Sequence, residues 1–271
     1  MRATQVRPSP GTAAAAAPAR PAGHLARMLG RQVAVELKLF WRNRASLFFG
    51  FLMPLLFLLF FGSLNHDSVV QGHQFIDFFL PGMLGFSVIA TAFSNLAISV
   101  PIQRDRLILK RLRATPLPTL VYLGGKLLMA VLVILLESAL MLLVGWLLFG
   151  LTVPRDLASL ALALVIGAAV FSALGFALAG VIPNGDAASP IVNAVYLPMT
   201  FLGGAFFPTE SMPRFLTAIA RALPLTHFIA LLRAIALDGR SVFASWTPLA
   251  VLALWCLGAV FVAARTFRWT P

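Results

Sequence analysis

The sequence predicts an all-α integral membrane protein: six transmembrane helices, both termini cytoplasmic, an amphipathic helix before the first span and a re-entrant helical hairpin between spans five and six. Three observations predict this. Of 271 residues, 60% are hydrophobic and 11% charged, where a soluble domain carries about 45–50% and 25%. The apolar residues gather into six runs, each close to the length of about 20 residues that crosses a hydrocarbon core at about 1.5 Å per residue. The 21 Lys and Arg are also unevenly placed: sixteen lie before the first run, between the second and third, or after the sixth. Cytoplasmic connections carry the excess of basic residues, so this distribution sets both termini inside.

Residues 1–23 are biased to Ala, Pro and Gly and lack an apolar core long enough for a signal peptide, which predicts a disordered tail. Residues 24–44 (HLARMLGRQVAVELKLFWRNR) place Leu25, Met28, Leu29, Val33, Leu37 and Phe40 among basic residues, the pattern of a helix lying in the cytoplasmic headgroup region. The spans follow at 45–64, 80–102, 127–150, 157–182, 187–208 and 243–264, making 45–271 one transmembrane domain. Pro54 and Pro198 fall within spans and predict kinks, since neighbouring helices re-satisfy the freed carbonyls.

Two connections are unusual. Loop 103–126 (QRDRLILKRLRATPLPTLVYLGGK) sets Leu107, Leu109 and Leu112 among Arg104, Arg106, Lys110, Arg111 and Arg113, predicting a short basic helix that stops before Pro116. Such a helix either anchors to anionic lipid or docks a partner. Segment 209–242 carries Arg214, Arg221, Arg233 and Arg240 on the side where positive charge is disfavoured. Its two apolar stretches, split by Pro224, show helical periodicity through Phe215, Leu216, Ile219, Ala220 and Leu223 and through Phe228, Leu231, Leu232 and Ile235. Each is too short to span, so a hairpin dipping into the outer leaflet is expected, with a pair of surface helices as the alternative.

The chemistry-bearing residues are sparse. The four histidines are isolated; His66 and His73 share a loop with Asp67 and Asp77 but read as solvated. HExxH, GxSxG and the GxGD of intramembrane aspartyl proteases are absent, and Cys256 has no disulfide partner. The only Gly-Lys pair, Gly125-Lys126, lacks the flanking residues of a phosphate-binding loop, so ATP would act through another chain. No metal site and no nucleic-acid site are expected. Within the spans, Glu137 stands out: a central charge costs roughly 2.5–3.5 kcal/mol on insertion, which surrounding leucines at about 0.3–0.6 each offset. Glu137, with Ser94, Asn95 and Asn193, is a candidate for the substrate pathway or for helix–helix hydrogen bonding.

Over about 27–268 the chain resembles the membrane permeases of type-2 ATP-binding-cassette exporters, which include the daunorubicin-resistance and polysaccharide-export permeases. Three segments carry this: AVELKLFWRNRASLFFGFLMPLLFLLFFG, the loop QRDRLILKRLRATPLPTLVYLGGK, and LPMTFLGGAFFPTESMPRFLTAIARALPLTHFIALLRAIALDG. The last resembles the family's fifth span and re-entrant hairpin, here with Pro208, Pro213, Pro224, His227 and Arg233. The chain departs where the family often has Glu-Arg-Glu followed shortly by glycine: it reads Arg104-Asp105-Arg106-Leu107-Ile108.

The resemblance implies a non-enzymatic half-transporter in a bacterial-type cell membrane, homodimeric or paired with a related permease, surrounded by lipid. ATP and Mg2+ would bind a separate cytoplasmic ATPase, contacted through Arg104, Asp105, Arg106, Leu107, Lys110, Arg111 and Leu112. Twenty-three Phe against 2 Tyr suit a hydrophobic or amphipathic cargo: a drug, a lipid or a lipid-linked glycan, with the drug-resistance branch favoured. The competing readings are a proton-coupled carrier using Glu137 and a membrane-embedded enzyme.

Overall fold

A computed structural model of the chain describes residues 22–65, 68–115, 117–209 and 212–266. All but the last two positions of the predicted tail 1–23, and both His66 and Asp67, lie outside them. In chain order the helices are α1 (Ala22–Arg42), α2 (Arg44–Leu64), α3 (Phe75–Asp105), α4 (Ile108–Arg113), α5 (Thr119–Phe149), α6 (Leu157–Val181), α7 (Gly185–Leu202), α8 (Arg214–Ala222), α9 (Pro224–Ala236) and α10 (Trp246–Thr266).

Five of these helices, α2, α3, α5, α6 and α10, are long and apolar enough to cross a membrane; counting α8 and α9 as one broken span raises the number to six. Helix α7, over the expected fifth span, is not among the five. It carries Asp186, Ser189, Asn193 and two internal prolines, Pro190 and Pro198. It stops at Leu202 rather than at 208, because Gly203 and Gly204 follow and Gly204 turns the chain at φ +84°.

Helix α3 is the most deeply enclosed span and forms the centre against which α2, α5, α6, α7 and α9 pack. The main apolar core joins Phe79, Met83, Leu84 and Ile89 of α3 to Ile134 and Met141 of α5, Leu164 and Phe171 of α6, and Phe228, Leu231 and Leu232 of α9. Small residues permit these approaches. A Cβ on Gly82 would strike the Ala205 carbonyl, and one on Gly167 would enter the Phe228 ring.

Both α2 and α3 contain one widened π-turn, at Phe48–Leu52 and Ile89–Ser94. The two turns touch, and Thr91 Oγ1 of the second donates to the Gly50 carbonyl of the first at 2.9 Å. Pro54 lies where the first π-turn returns to α-helix, so its missing N–H falls at an irregularity already in the hydrogen-bond ladder.

The connections obey local rules. Asn43 Oδ1 accepts from the amides of Ala45 and Ser46 and so caps α2. Between α2 and α3, Val69–Val70 pairs with His73–Gln74 as an antiparallel ribbon closed by Gln71 and Gly72, both at positive φ. Asp77 accepts from the Thr152 amide at 2.9 Å and its hydroxyl at 3.3 Å, which ties the start of α3 to the α5–α6 connection rather than to the nearby histidine. Asp156 caps α6 through the Ser159 amide and hydroxyl, and that hydroxyl bond first, then the amide, holds its carboxyl below the usual 3.8.

Helices α8 and α9 meet at 85° across Leu223. The bend exposes the last carbonyls of α8, and α9 supplies their partners: Thr226 Oγ1 donates to Ala220 O at 2.6 Å and the His227 ring meets Arg221 O at 2.8 Å. From α10, Trp255 Nε1 donates to Ala222 O at 3.2 Å. Arg233 of α9 donates to Gly204 O at 2.8 Å and lies 3.8 Å above the Phe78 ring.

Candidate functional site

One end of the bundle gathers α1, α4, the last turn of α3, the first turns of α5 and the α6–α7 turn. Its centre is Leu109, fully buried with Leu96 and Val100 of α3, Tyr122 of α5 and Phe176 and Ala179 of α6. This buried anchor holds the short helix α4 down, while Arg106, Leu107, Ile108, Lys110 and Arg111 remain exposed. Leu112 is half-buried against the same cluster, and Thr115 Oγ1 donates to Leu112 O at 2.6 Å where α4 ends.

The connection from α3 to α4 is two residues long. Arg106 N bonds Ile102 O at 3.1 Å and Leu107 N bonds Arg104 O at 3.0 Å, which forces Leu107 into the left-handed region at φ +57°. A leucine thus occupies a backbone position that suits glycine best.

The structure divides the seven residues of the predicted coupling interface. Arg104 is 4% exposed, and its Nη2 donates to Ile182 O at 2.6 Å and Pro183 O at 3.0 Å. Asp105 accepts from the Gly185 amide at 2.5 Å. Both therefore face the α6–α7 turn, whereas Arg106, Leu107, Lys110 and Arg111 face outward.

A polar chain unmarked in the sequence runs behind this surface. Tyr122 Oη donates to Gln103 Oε1 at 2.9 Å, Lys126 Nζ lies 5.3 Å from the Tyr122 ring, and Lys126 pairs with Glu36 Oε2 at 3.0 Å. Gln32 Nε2 donates to Glu36 Oε1 at 3.0 Å. Close packing of α1 on α5 makes this possible: Gly125 leaves no room for a Cβ beside Gln32. One available signal was that Glu36 lies four residues from Gln32 and from Phe40, on the face that α1 buries.

The four candidate pathway residues have different surroundings. Glu137 is fully buried, accepts from Ser87 of α3 through Oε2, and has Oε1 without a hydrogen-bond partner among the described residues. Ser94 closes the second π-turn. Asn95 Oδ1 follows it and accepts from Ser46 Oγ of α2 at 3.3 Å. Asn193 is exposed on α7, beside exposed Val195 and Leu197. A predominantly apolar cavity of about 290 Å³ lies between α3, α7, α8 and α10, lined by Phe93, Val195, Met199, Leu223 and Trp255. A more open groove of about 590 Å³ continues along α6 and α10, sharing Phe93, Leu174, Val195 and Trp255. Among the described residues no cluster of His, Cys, Asp and Glu is arranged to hold a metal ion.

Comparison with known proteins matches residues 32–237 to the ABC-2 type transporter family. The chain is 27% identical over 202 residues to the putative transport permease YvfS of Bacillus subtilis, covering 74% of this chain and 82% of that protein. It is 28% identical over 184 residues to the inner membrane transport permease YadH of Escherichia coli K12, covering 65% and 69%.

Proposed function

Because the chain belongs to the ABC-2 type transporter family, we propose that this membrane-spanning permease is driven by a separate ATP-binding-cassette ATPase that docks on the exposed face of α4. The observation that carries this is the split character of α4. Leu109 is locked into the bundle while Arg106, Leu107, Lys110 and Arg111 project from it, so force applied to the outer face is delivered to the spans. Exposed Arg27, Arg31 and Lys38 of α1 extend the basic surface.

ATP and Mg2+ are assigned to the partner. The side chain nearest in sequence type to a phosphate-binding lysine, Lys126, is buried and paired with Glu36, which supports that assignment. The basic end is cytoplasmic by charge, placing both termini inside. The 85° bend between amphipathic α8 and buried α9, with Arg233 bonded inward, supports a re-entrant segment in the opposite leaflet. Exposed apolar faces, such as Phe49, Leu52, Leu56 and Phe60 on α2, provide for a second permease copy or a related subunit. The apolar cavity beside α7 suits a hydrophobic or amphipathic cargo moving outward, a drug, a lipid or a lipid-linked glycan. Alternation between inward- and outward-open arrangements then follows from a bistable bundle biased by its ATPase.

The test is co-purification of the ATPase with tagged chain carrying Leu107→Glu or the pair Lys110→Glu and Arg111→Glu. Loss of the ATPase with normal membrane insertion is expected; an unchanged complex overturns the docking face. Proton-coupled transport by the lone chain in liposomes would overturn the whole reading in favour of a carrier using Glu137.

A further inference from the structure

Arg104 and Asp105 are adjacent in sequence, of opposite charge, and bonded to opposite sides of the same turn. Helix α6 ends at Val181, and the next two carbonyls, of Ile182 and Pro183, both receive Arg104. Helix α7 begins at Gly185, and its first amide is taken by Asp105. A helix C-terminus carries partial negative charge and an N-terminus partial positive charge, so the cation meets the end of one span and the anion meets the start of the next.

Gly185 permits the approach: a Cβ there would lie 3.2 Å from Ile102 Cα and 3.3 Å from Asp105 Oδ2. On the other side, the two residues between Asp105 and α4 carry their own backbone bonds to Ile102 and Arg104, so little slack separates the docking helix from the turn.

We propose that Arg104 and Asp105 are positioning residues that clamp the end of α3 to the α6–α7 turn, so that displacement of α4 is passed directly to α7. The proposal rests on the docking role assigned to α4 above and adds the route by which its motion enters the bundle. Helix α7 is the receiving element: it carries Asp186, Ser189 and Asn193 among its apolar residues, it borders the apolar cavity through Val195 and Met199, and it leads to the bent pair α8–α9.

The experiment uses the complex of full-length chain with the ATPase that co-purifies with it, in proteoliposomes, on a Cys256→Ser background. Ser189→Cys, on the exposed face of α7, reports motion through its rate of maleimide labelling with and without ATP and vanadate. In the parent complex ATP and vanadate change that rate. Arg104→Met, which keeps the packing and removes the donors, and Asp105→Ala, at an exposed position, are both expected to retain the ATPase and its hydrolysis but to lose the ATP-dependent change in labelling. Arg104→Lys, which keeps a charged donor, is expected to restore part of it. An ATP-dependent change in Asp105→Ala equal to the parent's overturns the clamp even if Arg104→Met fails to fold. If parent chain retains no ATPase, the docking reading fails, and the clamp's role with it; if the complex forms and the variants respond normally, only the clamp fails.

Discussion

Lys126 Nζ and Glu36 Oε2 lie 3.0 Å apart in a site where Lys126 is 1% and Glu36 5% exposed, fastening α1 to the third of the five long spans. Taking one member away leaves the other charge buried and unpaired, which costs about 3–5 kcal/mol, whereas replacing both with apolar groups of similar size is near neutral. Lys126→Met and Glu36→Leu are each expected to lower the thermal unfolding midpoint in detergent sharply, and the double variant to recover most of the loss. Equal, additive losses in the double variant would show that the pair is not the interaction holding α1.

Leu107 sits at φ +57° between α3 and α4. The left-handed region costs a non-glycine residue roughly 1–2 kcal/mol. Leu107→Gly should therefore raise stability by about 1 kcal/mol after the added chain entropy of glycine is subtracted, and Leu107→Val should lower it. Chemical unfolding followed by Trp fluorescence reads both; destabilisation by glycine would mean that the leucine side chain makes a contact worth more than the strain.

Glu137 accepts from Ser87 and, among the described residues, keeps one oxygen unpaired in the core. Glu137→Gln preserves an acceptor for Ser87 and is expected to leave expression and melting nearly unchanged. Ser87→Ala strips the carboxyl of its partner and should cost about 1–3 kcal/mol. Transport lost in Glu137→Gln at normal expression would assign the carboxyl to the cargo path.

Asp156 supplies a pH-dependent part of stability. The Ser159 hydroxyl, ahead of the Ser159 amide, lowers its folded pKa below 3.8. A depressed carboxyl pKa adds stability that is complete above the unfolded value and disappears as pH falls through the folded one. Asp156→Asn keeps the cap without the titration. The melting-point advantage of the parent over this variant should therefore be constant near neutrality and shrink as the pH is brought down to about 3; an advantage that grows on acidification would reverse the assignment.

What was legible in the sequence was whatever length and periodicity encode. Apolar runs marked α2, α3, α5, α6 and α10, and the leucine spacing in 103–126 marked α4, observed at Ile108–Arg113. The partner of a polar side chain is not encoded that way. Arg104 and Asp105 look like their exposed neighbour Arg106, yet Arg104 is buried and Asp105, though exposed, is held beside it, because their partners are backbone groups of a turn some eighty residues ahead. The same limit hid the Glu36–Lys126 pair, and it hid the ring of Phe78 that receives Arg233. That stacking explains one of the four arginines discordant with the charge rule, since its guanidinium lies on the Phe78 ring and donates to Gly204 O inside the protein.

The paired π-turns of α2 and α3 make these two spans unequal in their tolerance of length changes. Each turn holds one residue more than a regular helical turn, so losing one residue there closes the ladder and leaves the faces on both sides in phase. The same deletion elsewhere in either helix would rotate everything beyond it by about 100° and turn the core-facing stripe to lipid. Single-residue gaps among relatives should therefore gather at 48–52 and 89–94, the two places where these helices can shorten without being rewritten.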